Sequence, residues 1–168
     1  RVGLRITPIN WHLTAEEVCY IVENCEAKVV LCDAIFSDFF EEINKHLPDV
    51  ILMSVDGENP LAIPFLETIQ NYDGTDVETP EAGRSMLYTS GTTGRPKGVF
   101  RKENPPPSKT EQFTLDTASF DPENDFSICP GPAYHAAPLG LNINISLMAG
   151  VGVYLMDKWD AEKMLSLI

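Results

Sequence analysis

The sequence lacks any apolar run of the roughly twenty residues that a membrane-spanning helix needs, and it does not start with a basic stretch followed by an apolar signal core. Positive charge is scarce as well, because 12 Lys and Arg stand against 25 Asp and Glu, a net charge of −13. A nucleic-acid surface needs clustered Lys and Arg, so this deficit excludes a nucleic-acid partner. These absences predict a cytoplasmic protein with no transmembrane segment.

Cysteine is also sparse, and it shows neither a CxxC pair nor a neighbouring His cluster of the kind that binds zinc. The four cysteines are Cys19, Cys25, Cys32 and Cys129. Three of them lie within apolar helix or strand patterns. We therefore expect buried free thiols.

What the sequence does contain is an alternation of helix and strand patterns. Thr14 is a predicted helix N-cap, because acidic residues follow it and apolar residues recur at helical spacing from Val18 to Cys25. Asp33 is expected to cap the next helix. Further helices are predicted at residues 60–70, 109–118 and 139–149 and after residue 160, and strands at 28–32, 50–55, 85–90, 125–129 and 151–156. This order predicts an α/β fold, a largely parallel sheet with flanking helices.

One glycine-rich stretch, Tyr88 to Val99, reads YTSGTTGRPKGV and follows a predicted strand. Glycine lets the backbone approach an anion closely, so that successive N–H groups can converge on phosphate oxygens. The hydroxyl groups add donors, and Lys97 supplies positive charge in an acidic protein. We therefore predict a phosphate-binding loop. Its predicted ligands are Ser90, Gly91, Thr92, Thr93, Gly94 and Lys97.

Other nucleotide-binding loops do not fit this stretch. The GxxxxGK[ST] loop of the P-loop NTPases would require Gly in place of Pro96 and Ser or Thr in place of Gly98. A kinase glycine-rich loop and a Rossmann GxGxxG also fail to match. The alternative is a solvated Gly and Thr turn between strands.

The same stretch resembles the signature of the adenylate-forming superfamily, Tyr-Thr-Ser-Gly-Thr-Thr-Gly-x-Pro-Lys-Gly-Val, at every fixed position. Two flanking segments add to the resemblance. Gly3 to Asn10 is similar to the stretch before the first helix of that family, and Pro130 to Gly140 is similar to its second core motif. Within the superfamily the sequence looks most like acyl-CoA synthetases, and among them the fatty-acid CoA ligases.

The resemblance implies an internal fragment of the large N-terminal adenylation domain. Residues 1–83 would form a first α/β subregion and residues 84–168 a second one with the phosphate loop. The family's Tyr-Gly-x-Thr-Glu motif and its C-terminal domain, with a catalytic Lys, are absent from the sequence. We therefore expect the gene to continue beyond Ile168, the fragment to be inactive alone, and its uncovered apolar surface to favour a homodimer.

The function implied by the resemblance is that of an acid–thiol ligase, which converts a carboxylic acid, here a fatty acid, to an acyl adenylate and then to an acyl-CoA thioester. ATP, Mg²⁺ and coenzyme A would take part. Lys97 and His135 would be catalytic, and Thr89 would bind ATP and Mg²⁺. The alternatives are an ordinary strand-end hydroxyl at Thr89, a structural histidine, and, for the chain, a non-catalytic phosphate-binding fragment or an adenylation domain of another branch.

Overall fold

A computed structural model of the chain describes residues 2–75, 77–81, 83–89, 94–100 and 109–168. The chain divides into two compact units, residues 1–100 and 101–168. The strands are β1 (Arg5–Ile6), β2 (Val29–Cys32), β3 (Ile51–Ser54), β4 (Ile63–Pro64), β5 (Arg84–Ser85), β6 (Leu87–Thr89), β7 (Lys97–Val99), β8 (Phe126–Cys129) and β9 (Gly152–Leu155). The helices are α1 (Ala15–Asn24), α2 (Ser37–His46), α3 (Phe65–Ile69), α4 (Lys109–Thr117), α5 (Ile145–Ala149) and α6 (Ala161–Leu167), with a π-helical segment (Pro138–Asn144) before α5. Strand pairing is parallel except between β6 and β7, within the described part of the chain. The predicted α/β class is confirmed.

Helix α1 begins where the sequence predicts. The backbone N–H of Thr14 donates to Glu17 Oε2 at 2.9 Å, and the backbone N–H of Glu17 donates to Thr14 Oγ1 at 3.3 Å. This reciprocal pair is a capping box, which satisfies two N–H groups that have no partner within the helix. Asp160 caps α6 with one such bond, from the backbone N–H of Lys163 at 2.9 Å. Local sequence therefore fixes the start of both helices.

The core of the first unit lies between α1, α2 and one face of the parallel sheet β2–β3–β4. Its buried members are Val18, Cys19, Val22, Phe39, Phe40, Ile43 and Leu52. The other face of the sheet presents four aliphatic side chains that are 40 to 51% exposed: Val29, Leu31, Ile51 and Ile63. Parallel sheets are usually covered on both faces, so this outer face is suited to further packing.

Two predicted helices differ from those in the structure. Asp33 does not cap α2, which begins four residues later with Phe36 at its N-cap and no side-chain bond there. Asp33 Oδ1 instead accepts from the backbone N–H of Ile35 at 3.0 Å, a local turn that competes with helix formation. The region predicted as one helix, 60–70, is split between β4 and α3. Pro64, the residue before α3, is extended with ψ of 115°, and β4 pairs with β3.

The second unit contains β8 and β9, which pair in parallel register from Phe126 opposite Gly152. The π-helical segment and α5 connect these strands. The residues of this unit that are exposed by 2% or less are Cys129, Ile145, Ser146 and Val151. All four cysteines of the chain are free; three are buried and Cys32 is half-buried, which largely confirms the expected buried thiols. None of the described helices is both long and apolar enough to cross a membrane.

Candidate functional site

The glycine-rich stretch lies on a hairpin in the first unit. Strands β6 and β7 are antiparallel, with Thr89 directly opposite Lys97. Thr89 Oγ1 donates to the backbone oxygen of Lys97 at 3.4 Å. Both residues are exposed. The structure thus places two of the predicted site residues, Thr89 and Lys97, opposite each other on the two strands of the hairpin.

Four predicted phosphate ligands, Ser90, Gly91, Thr92 and Thr93, lie outside the described residues. Gly94 begins the described return of the hairpin and has a φ of 130°. Side chains of L-amino acids rarely adopt this backbone conformation, so glycine is required there. The description of the site therefore rests on Thr89, Gly94 and Lys97.

The inner side of the hairpin is tightly packed at Gly98. A Cβ atom at this position would clash with Met86 Cε and would lie 2.9 Å from Cζ and 3.0 Å from the hydroxyl oxygen of Tyr88. Met86 is buried, and Pro96, two residues before Gly98, is buried as well. Glycine at position 98 therefore lets β7 lie close to the side chain of Tyr88 in β6 and to that of Met86, the residue before β6.

Tyr88 links the hairpin to helix α1. Its hydroxyl donates to Asn24 Oδ1 at 2.6 Å. Burial, with smaller contributions from Cys25 and Tyr20, raises the pKa of Tyr88 to about 12. The phenol therefore remains protonated, and able to donate this bond, throughout the physiological pH range.

The other limb of the hairpin also contacts α1. The guanidinium carbon of Arg95 lies 5.0 Å from the centroid of the Tyr20 ring, within the range of a cation–π interaction. Sequence reasoning assigned no site role to Arg95, Tyr20 or Asn24. The four-residue spacing of Tyr20 and Asn24 places them on one face of a helix, but it does not identify partners more than sixty residues away.

His135 lies in the second unit, at the turn that precedes the π-helical segment. Its backbone N–H donates to Pro132 O at 3.0 Å, and its backbone oxygen accepts from Leu139 N at 3.1 Å. The exposed imidazole lies 5.1 Å from the Tyr134 ring, centroid to centroid, with the planes tilted by 43°. The turn is thus held by backbone bonds, which leaves the ring accessible.

The described side chains offer little for a metal ion on their own. No group of three or more His, Cys, Asp or Glu able to hold a metal occurs among residues that the structure describes. Thr89 presents one hard hydroxyl oxygen, a donor type that suits Mg²⁺. A magnesium ion at this hairpin would therefore take most of its ligands from phosphate groups and water, as Mg²⁺ commonly does in nucleotide sites.

Comparison with curated proteins identifies several CoA ligases as relatives. A medium-chain-fatty-acid–CoA ligase of Ectopseudomonas oleovorans is 38% identical over 110 residues, which cover 58% of this chain and 20% of that protein. A long-chain-fatty-acid–CoA ligase of Mycobacterium tuberculosis is 30% identical over 175 aligned positions, covering 100% of this chain and 33% of the relative. The chain therefore spans a third or less of the length of these two relatives.

Solved structures agree with the fold. The crystal structure of apo MatB from Rhodopseudomonas palustris superposes with a TM-score of 0.71 at 23% identity, over 99% of this chain and 38% of MatB. The family model described as AMP-binding enzyme matches residues 1–168, which is the whole chain. This match confirms the resemblance to adenylate-forming enzymes, and the chain belongs to the AMP-binding enzyme family.

Proposed function

We propose that the protein containing this chain activates a carboxylic acid with ATP and then transfers the acyl group to coenzyme A. The observation that carries the proposal is the complete family signature from Tyr88 to Val99, folded so that Thr89 and Lys97 face each other across one hairpin. The family match over the whole chain and the CoA ligases among its relatives support the same activity.

The proposed reaction has two steps. A carboxylate oxygen attacks the α-phosphorus of ATP, the bond from that phosphorus to the bridging oxygen breaks, and pyrophosphate leaves with the electron pair. The thiolate of coenzyme A then attacks the acyl carbon, and AMP leaves. Charge grows on pyrophosphate in the first step, so hydrogen-bond donors and positive charge near the β and γ phosphates lower its barrier.

Lys97 is the residue that we assign to this charge. Its side chain is exposed and has no ion-pair partner among the described residues, and it follows Arg95 on the same limb of the hairpin. In a protein with a net charge of −13, this pair of basic residues supplies local attraction for the phosphate groups. Ser90, Gly91, Thr92, Thr93 and Gly94 remain the proposed backbone and hydroxyl ligands of the phosphates.

Thr89 is the proposed protein ligand of Mg²⁺ and a contact of ATP. A bound magnesium ion would neutralise phosphate charge, and the other groups of the hairpin would orient the nucleotide. In its 3.4 Å bond to the backbone oxygen of Lys97, the Thr89 hydroxyl is the donor, so this bond does not use the oxygen lone pairs that would bind a cation.

His135 is the proposed contact of the substrate carboxylate. Its ring is exposed while its backbone is fixed by two hydrogen bonds, a combination that suits a residue that orients a ligand. A fatty acid is the proposed substrate class, supported by two relatives whose names specify medium-chain and long-chain fatty acids. Coenzyme A is the proposed acyl acceptor for the same reason.

The proposed place of the chain is in the large N-terminal adenylation domain, with subregions 1–83 and 84–168. The homodimer and the cytoplasmic location stay predictions. Light scattering on the purified chain tests the dimer, for which the outer face of the β2–β3–β4 sheet supplies apolar surface. A single species of 18.6 kDa at high concentration would count against it.

The full gene product, purified and shown to be folded, tests the proposed function. It would be incubated with ATP, Mg²⁺, coenzyme A and one of a set of short-chain, medium-chain, long-chain or aromatic acids, and AMP and thioester would be quantified. We expect AMP and thioester to form together, in equal amounts, with one class of fatty acid. Aromatic acids as the only substrates would overturn the fatty-acid assignment, and no AMP with any acid would support a non-catalytic phosphate-binding protein.

A further inference from the structure

Helix α1 offers the phosphate hairpin a rigid support. Its inner face is fixed in the core of the first unit, where Val18, Ile21 and Val22 are at most 3% exposed. Tyr20 and Asn24 are four residues apart and lie on the same side of the helix, outside this buried set. A group attached to these two residues therefore takes its position from the core.

Each limb of the hairpin attaches to one of these two side chains. On the first limb, the Tyr88 hydroxyl donates to Asn24 Oδ1 at 2.6 Å. On the returning limb, the Arg95 guanidinium lies over the Tyr20 ring at 5.0 Å. Tyr88 immediately precedes Thr89, and Arg95 lies two residues before Lys97, so both attachments are next to the groups that we assign to ATP.

A third link reaches the far end of the hairpin from the same helix end. The guanidinium of Arg5 donates to the backbone oxygen of Cys25, the C-cap residue of α1, and it also lies over the Phe100 ring at 5.1 Å. A cation at the carbonyl end of a helix is electrostatically favourable. The residue that follows β7 is thus tied, through Arg5, to the same end of α1.

We propose that Tyr20 and Asn24 are positioning residues, which hold the two limbs of the hairpin so that Thr89 and Lys97 meet the phosphates of ATP in a fixed arrangement. Neither residue touches ATP in this proposal; each acts through Arg95 or Tyr88. The consequence for ATP rests on the proposed function, whereas the attachment itself does not.

Limited proteolysis tests the attachment without any substrate. Trypsin cleaves after Lys97, which is followed by Gly98, and the Lys45–His46 bond in α2 of the same unit serves as an internal reference for general unfolding. The variants are Tyr20→Leu, which removes the aromatic face, and Tyr20→Phe, which keeps it. An exposed cation–π contact is weak, so we expect Tyr20→Leu to accelerate cleavage after Lys97 about two- to fivefold relative to the reference bond. Tyr20→Phe should behave as the wild type.

The Asn24 contact has its own test. Asn24→Ala and Tyr88→Phe each remove the same hydrogen bond, so each should accelerate cleavage after Lys97 about two- to tenfold, and the double variant should be no faster than either one alone. Equal acceleration at the Lys97 and Lys45 bonds would mean that the residues act on stability alone and would overturn the proposal. So would a Tyr20→Phe variant as susceptible as Tyr20→Leu.

Kinetics of the full gene product test the consequence for ATP. We expect the KM for ATP to rise about two- to fivefold in Tyr20→Leu and about two- to tenfold in Asn24→Ala, with the KM for the carboxylic acid unchanged. Tyr20→Phe should have the KM of the wild type for ATP. A rise in both KM values would contradict the positioning role. If the wild type forms no AMP with any acid, the proposed function fails, and proteolysis alone still decides whether α1 holds the hairpin.

Discussion

Replacing Gly98 by alanine should destabilise the phosphate hairpin, because the added methyl group would clash with the side chains of Met86 and Tyr88. The added Cβ would meet the end of the Met86 side chain and, at 2.9 to 3.0 Å, the phenol end of Tyr88. Met86 is flexible but buried, 8% exposed, and Tyr88 is held by its 2.6 Å bond to Asn24. Neither neighbour can move without losing packing or a hydrogen bond.

The cost follows from these contacts. Overpacking by one methyl group in a closely packed site typically costs about 1–3 kcal/mol. We expect the upper half of that range, about 2–3 kcal/mol, if the Tyr88 hydroxyl gives up its bond to Asn24, since a lost hydrogen bond adds about 1 kcal/mol. If only Met86 moves, the cost should stay near 1 kcal/mol.

Urea unfolding of the chain, followed by circular dichroism, measures this cost. The matched control is Gly140→Ala, because no heavy atom lies within 4 Å of a Cβ atom there; it should be neutral or slightly stabilising. In a Met86→Ala background, where space has been made, Gly98→Ala should cost less than in the wild type. An equal free energy of unfolding for Gly98→Ala and wild type, or the same cost in both backgrounds, would refute the steric reasoning.

Two further predictions concern stability. Burial raises the pKa of the Cys32 thiol from 9.0 to about 11, so the folded state binds more protons than the unfolded state in this interval. The contribution of the Cys32 thiol to stability is fully present below pH 9 and is lost as pH rises to 11, so urea midpoints should fall over this window. Cys32→Ala should make this fall shallower. The same slope of urea midpoint against pH in the variant and the wild type would contradict the assignment to Cys32. Thr14→Ala, which removes one half of the α1 capping box, should lower the free energy of unfolding by about 1 kcal/mol, whereas Thr14→Ser should retain most of it; an Ala variant as stable as Ser would show that the cap contributes nothing.

Features of the fold that depend on residues close together in the sequence can be predicted, whereas fewer of those that depend on distant residues can. The Thr14 cap and the start of a helix after residue 160 can be predicted because each cap and its N–H partner are three residues apart. Asp33 is an aspartate like Asp160, but it accepts a hydrogen bond within a turn. A short polar side chain can stabilise either a turn or a helix start, and tertiary packing decides which of the two forms. Strand β4 was missed because Ile63 joins the sheet through pairing with Met53, a contact that helical periodicity does not reveal.

The candidate site shows the same division. Lys97, the glycines and the hydroxyls are readable from the chemistry of phosphate binding and from family resemblance. The antiparallel pairing of Thr89 with Lys97 is seen only in the structure, in the β6–β7 hairpin. The support from Tyr20 and Asn24 joins residues more than sixty positions apart, and a single sequence contains no periodic signal for such a contact.

Carboxylate-dependent exchange of labelled pyrophosphate into ATP, catalysed by the full gene product, tests the central claim most directly. Because Lys97 is assigned to charge that grows on the leaving pyrophosphate, Lys97→Ala should reduce kcat/KM for exchange about 100-fold or more, with an unchanged urea midpoint. Exchange that survives Lys97→Ala undiminished would contradict the role of the hairpin, and a folded wild-type protein with no exchange for any acid would contradict adenylate formation itself.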